Sequence, residues 1–127
     1  MENSMSPVGL LALLLTAVVA LLHIYFLVLE MFLWTKPAGR RAFGTTEAFA
    51  RESRVLAANQ GLYNGFLAAG LLWGVLLGSN GMAIRLFFLL CVVIAGVFGA
   101  ATANRRILYV QALPAALAIA ASLVRSA

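Results

Sequence analysis

The sequence contains no aspartate and only four acidic residues in 127. It has one cysteine, Cys91, and one histidine, His23. Each scarcity excludes something. Cys91 sits in an apolar run and has no partner for an intrachain disulfide, so an oxidised framework is excluded. One histidine and few carboxylates fall short of the three protein ligands of a catalytic zinc site. A lone histidine as a haem ligand is the weaker reading beside a structural hydrogen-bond donor, so neither metal nor cofactor is expected. Charged residues are 10% of the chain, whereas hydrophobic residues are 64%, with a mean hydropathy of +1.02. A soluble domain of this length has no core large enough to bury that much apolar surface, so the surplus is expected to face lipid.

The charge that is present is basic, at +5 net with an isoelectric point near 10.4. Nucleic acid is not the expected partner. The Lys and Arg residues stand between apolar runs, which is the pattern of membrane topology rather than of a basic binding face. "MENSMSPVGL" at the start has no basic segment before its apolar run, so that run reads as a permanent span, not a cleaved signal.

A span needs about 20 apolar residues. Four candidates appear, at about 7–34, 47–77, 82–103 and 107–124. Pro7 suits a helix start. "TKPAGRRAFGTT" breaks the chain with Pro37, Gly39 and Gly44, and Thr45 or Thr46 caps the next helix. "GSNG" at 78–81 and "NRR" at 104–106 are short connections, and Pro114 inside the last span is tolerable in a membrane helix. The expectation is one all-α domain over 1–127, a bundle of four transmembrane helices. Lys36, Arg40, Arg41, Arg51, Arg54, Arg105 and Arg106 fall on one side, Arg85 and Arg125 on the other. Seven against two predicts that both termini lie outside the cytoplasm, in a bacterial inner membrane.

"HIYFLVLEMFLW", "GRRAFG" and "LAANQGLYNGFLAAGLLWG" resemble a family of small integral membrane proteins of bacteria and fungi, catalogued as domain of unknown function 1304. The match covers nearly the whole chain, and "AANQGLYNGF" is its most specific part. The resemblance implies a short four-span membrane protein and no particular activity.

Polar residues inside the apolar runs are the candidate site. His23 and Glu30 stand seven apart, about two helical turns, and share a face roughly 10.5 Å apart along the axis. Ionisable groups in a membrane helix are costly and face a bundle interior or a cavity. The plain alternative pairs Glu30 with Arg40, Arg41 or Arg54 at the interface and leaves His23 a structural donor. On the second span, Asn59, Gln60, Tyr63 and Asn64 fall on one arc of about 140°. Beside them run Ala57, Gly61, Gly65 and Ala69, a stripe that admits close helix contact or a homodimer. Simple interhelical adhesion is the alternative for the amides. Thr102, Asn104, Tyr109 and Gln111 complete the polar groups at the same depth, while the other ends of the spans are hydrocarbon. His23, Glu30, Asn59, Gln60, Tyr63, Asn64 and Gln111 are therefore expected to line a cytoplasm-facing pocket.

No phosphate loop or nucleophile elbow is present, so the sequence leans away from a recognisable enzyme. Three classes remain open. One is a protein that binds or transports a small amphipathic or cationic molecule, with Glu30 as counter-charge and proton coupling through Glu30 or His23. Another is a small membrane enzyme acting on a lipid or isoprenoid. The third is a structural or accessory subunit. Besides the bilayer, the expected partner is a small molecule that the sequence does not name.

Overall fold

The computed structural model describes residues 5–126, with the side chains of 5–124. Arg125, counted in the charge balance, thus lies outside the described side chains. Among the described residues every regular element is helical. In chain order they are α1 (Pro7–Met31), α2 (Pro37–Phe43), α3 (Glu47–Glu52) and α4 (Arg54–Leu76). A 3₁₀ turn (Gly78–Gly81) leads to α5 (Met82–Thr102), and a π-helical turn (Leu108–Ala112) leads to α6 (Leu113–Ser126).

Two of these stretches are long and apolar enough to cross a membrane, Pro7–Met31 and Gly78–Thr102, each of 25 residues. At 1.5 Å per residue each reaches about 37 Å, more than the roughly 30 Å hydrocarbon core of a bilayer. Only 28% of each apolar window is buried within the chain. The core helix of a soluble protein would be mostly covered. Helix α4 falls short because Asn59, Gln60, Tyr63 and Asn64 dilute it, and the apolar stretch Leu108–Val124 is shorter.

The residues group into two compact units. One holds the chain up to Ala20 and from Ala69 onward; the other is Leu21–Ala68. In the first unit, α5 packs against α6, the π turn and the 3₁₀ turn. Its buried positions include Ala12, Thr16, Val19, Leu71, Leu89, Val92, Ala115 and Ala118. Small side chains at the contacts let helix backbones approach closely, as membrane helices do. At the tightest place a Cβ on Gly96 would lie 2.7 Å from the Ala112 backbone nitrogen. Large apolar side chains point outward instead, among them Trp73, Leu76, Phe87, Ile94, Phe98 and Leu117.

The π turn has a local cause. Pro114 lacks the N–H that an α-helix would bond to the carbonyl four residues back, and its ring crowds that carbonyl. Just before it, the Leu113 N–H bonds to the Leu108 carbonyl, five residues back. The widened turn absorbs the proline without breaking the helix.

In the second unit the expected helix over 47–77 divides at Ser53, whose backbone (φ −95°, ψ 6°) leaves the helical range. The Ser53 hydroxyl donates to the Phe49 carbonyl at 2.6 Å, a local bond that bends helices. The first helix likewise stops at Met31 rather than at Trp34. Helix α2 then folds back on that end: Gly39 is buried, and a Cβ there would strike the Leu33 carbonyl. Gly44 ends α2 with φ 65°, a left-handed position that glycine enters without strain.

Candidate functional site

The second unit holds the polar centre. Three polar side chains are buried there: His23 at 0% exposure, Glu30 at 7% and Asn64 at 5%. Asn64 Nδ2 donates to Glu30 Oε1 and joins α4 to α1. His23 lies two turns before Glu30 on α1, with the Phe26 ring edge-on at 5.3 Å. The first helix thus turns His23 and Glu30 inward together, since a spacing of seven puts both on one face.

Glycines set how closely the two helices meet. A Cβ on Gly61 would come within 3.1 Å of Glu30 Cβ and 3.2 Å of the Leu27 carbonyl oxygen. One on Gly65 would lie 2.8 Å from Leu27 Cδ1. The Ala57, Gly61 and Gly65 stripe is therefore used against α1 of the same chain. This close approach brings the short Asn64 side chain within reach of Glu30.

The rest of the expected arc turns elsewhere. Asn59 and Gln60 are exposed, and Tyr63 is 57% exposed. Asn59 Nδ2 bonds to the Val55 carbonyl of its own helix at 3.0 Å. The cause is helical phase. With Asn59 at 0°, the buried Ala57, Gly61, Asn64 and Ala68 lie between about 140° and 200° at 100° per residue. Asn64 borders that contact line, whereas Asn59 and Tyr63 lie nearly opposite to it. Gln111 belongs to the other compact unit, where it is partly exposed in the π turn. Thr102 and Asn104 serve local structure: the Thr102 hydroxyl donates to the Phe98 carbonyl, and Asn104 Oδ1 accepts from the Arg106 N–H.

Sequence reasoning passed over two residues. Ser53 accepts from the Trp34 indole at 3.0 Å and ties the exit of α1 to the bend before α4. Arg85 counts in the sequence only as an outer charge. It is buried, and its Nη1 donates to the Gly74 and Gly78 carbonyls, each at 2.6 Å. The available signal was position: an arginine just after a Gly-rich turn can reach back to the last carbonyls of the preceding helix. Among the described residues no three of His, Cys, Asp and Glu gather at metal-binding distance.

With the helical architecture and the Glu30–Asn64 centre described, known proteins supply the family. The family model described as "Protein of unknown function (DUF1304)" matches residues 17–123. The chain belongs to the DUF1304 family. The matched span includes His23, Glu30, the Asn59–Asn64 segment and Arg85. The chain is 30% identical over 115 residues to "Uncharacterized protein YpaA" of Lactococcus lactis subsp. lactis (strain IL1403). That alignment covers 89% of this chain and 97% of the relative. No solved structure matches this DUF1304 chain.

Proposed function

We propose that the protein is a four-span membrane bundle, with both termini outside the cytoplasm, that binds or carries a small cationic or amphipathic molecule at Glu30. The observation that carries this reading is the buried Glu30–Asn64 bond beside the buried His23. A carboxyl group held in apolar surroundings is expensive and marks a functional position in a membrane helix by default. A cation arriving from the cytoplasmic side would replace the Asn64 N–H as the partner of Glu30. Release would restore the bond, so the amide works as a placeholder. Proton coupling through Glu30 or His23 would drive the exchange.

Orientation in a bacterial inner membrane is supported by the seven-to-two distribution of Lys and Arg. The exposed Leu, Phe and Trp side chains suit contact with lipid. The test uses a lipophilic cation, tetraphenylphosphonium, titrated into the purified chain in neutral detergent. Saturable binding that Glu30→Gln abolishes is the expected result. Absence of binding, or equal binding by the variant, would overturn the proposal.

One observation favours a second reading, an accessory subunit. Asn59, Gln60 and Tyr63 form an exposed polar face on α4, and amides in a membrane often bond across helices. That face is available to a partner helix. Chemical crosslinking from a cysteine placed at Asn59 in native membranes separates the two. A defined heteromeric product supports the subunit; its absence together with cation binding supports the carrier.

A further inference from the structure

The face of α4 that turns away from α1 carries a stripe of its own. Leu56, Asn59, Tyr63 and Phe66 follow one another at steps of three, four and three. On an ideal helix they fall within an arc of about 80°. That alternation is the one by which two helices pack side by side with a left-handed crossing. All four side chains are exposed, Leu56 at 75% and Tyr63 and Phe66 each at 57%. Gln60, also exposed, borders the stripe. One turn further on, the stripe reaches Gly70, against which the Phe88 ring already packs, so its open part ends at Phe66.

This face suits neither water nor lipid. In water, Leu56 and the Tyr63 and Phe66 rings, 6.1 Å apart, make an apolar patch of the kind that marks an interaction surface. In lipid, the Asn59 and Gln60 amides are costly unless something bonds to them. The chain itself supplies little. Asn59 Nδ2 is taken by the Val55 carbonyl, which leaves Oδ1 as an outward acceptor. Gln60 makes no hydrogen bond among the described residues. The glycine stripe offers no other seat, because Gly61 and Gly65 are used against α1. Residues 55–66 carry no charged side chain, so a charged partner finds nothing to pair with and two copies of the face do not repel.

We infer that Leu56, Asn59, Tyr63 and Phe66 form the contact with a second copy of this chain, with Gln60 bonding across it. The hydrogen-bonding groups are what select a second copy over a different subunit. Asn59 offers an acceptor and Gln60, one residue on, offers donors. About a two-fold axis each copy gives what the other needs, so Gln60 Nε2 of each copy donates to Asn59 Oδ1 of the other. Two amides are then satisfied by two reciprocal bonds, and the apolar members of the stripe meet their own counterparts. The parallel arrangement of the two α4 helices rests on the single membrane orientation proposed above. The pairing itself does not, and it is independent of any ligand at Glu30.

The experiment uses the full chain with Cys91→Ala, so that each added cysteine stands alone. Leu56→Cys, Phe66→Cys and, as an exposed control about 80° off the stripe, Leu62→Cys are oxidised in native membranes. Leu56→Cys and Phe66→Cys are expected to give disulfide-linked pairs of this chain, and Leu62→Cys to stay single. Equal linking at all three positions, or a product with a different protein alone, would overturn the second copy. A disulfide between Leu56→Cys and Phe66→Cys chains, with neither pairing to itself, would overturn the parallel arrangement and with it the single orientation of α4. In neutral detergent, sedimentation equilibrium then measures the dimer of the unaltered chain and of Gln60→Leu. The variant loses both crossing donors, and its dissociation constant is expected to rise about eightfold, the equivalent of two interhelical hydrogen bonds of average strength. An unchanged constant would overturn the role of the amides. The crosslinks keep both amides intact and decide the pairing if Gln60→Leu does not fold.

Discussion

Asn64 Nδ2 donates to Glu30 Oε1 across 34 positions of sequence, and this bond joins the fourth helix to the first at a point where both side chains are buried. A carboxyl group there has one designated amide, set at contact distance by Gly61 and Gly65. Interhelical polar bonds in membrane proteins contribute about 0.6 kcal/mol on average and up to about 1.7. The burial of this pair points to the upper part of that range. In a double-mutant cycle of Glu30→Leu and Asn64→Leu, each of which removes the bond, melting in detergent should give a coupling of about 1 kcal/mol. Strict additivity of the two single changes would mean that the bond contributes nothing to stability.

The glycines should differ in what they tolerate. A Cβ on Gly96 meets the backbone nitrogen of Ala112 at 2.7 Å, whereas one on Gly65 meets the end of the Leu27 side chain at 2.8 Å. A side chain can rotate away; a helix backbone has to shift. Gly96→Ala should cost about 1–3 kcal/mol, the range of overpacked cores, and Gly65→Ala less than about 1. Gly65→Leu exceeds what Leu27 can yield and should lower the melting point clearly. Equal melting of Gly96→Ala and the parent chain would show that the π turn moves freely.

Arg85 closes the turn between α4 and α5 by donating to the Gly74 and Gly78 carbonyls. Arg85→Met keeps the length and removes the donors. It leaves two carbonyls without that partner, at a cost of about 1–3 kcal/mol for a buried group. Arg85→Lys retains a charge and a donor and should recover part of the loss. If both variants melt alike, the arginine acts through its stem rather than through its hydrogen bonds.

Topology has its own measurement. A fluorescent reporter that matures only in the cytoplasm should stay dark when fused at the C-terminus, while a reporter active outside the cytoplasm should work there. The motive is the basic excess in the 36–54 and 105–106 segments. A bright cytoplasmic fusion would invert the orientation and place the Glu30 end of α1 on the opposite side.

Composition alone determined that the chain is helical and apolar outward. So few charges and so many aliphatic residues predict apolar side chains on the outside, and Gly44 and Gly78 follow helix ends whereas Pro37 opens α2. Spacing alone also placed His23 and Glu30 on one face, because a period of 3.6 is a property of any helix. It did not decide which way α4 turns. Asn59, Gln60, Tyr63 and Asn64 have similar hydrogen-bonding capacity, and a helix that is apolar nearly all round has no hydrophobic side to orient it. Small side chains broke the tie. Close backbone approach is possible only along Ala57, Gly61, Gly65 and Ala68, so the amide bordering that line reaches Glu30 and the others face away. Tertiary contact likewise decided what Arg85 does, since a charge in a sequence does not reveal whether it points to water or back to two carbonyls. The bond from the Trp34 indole to Ser53 arises the same way, between residues 19 positions apart that meet only after the helices have packed.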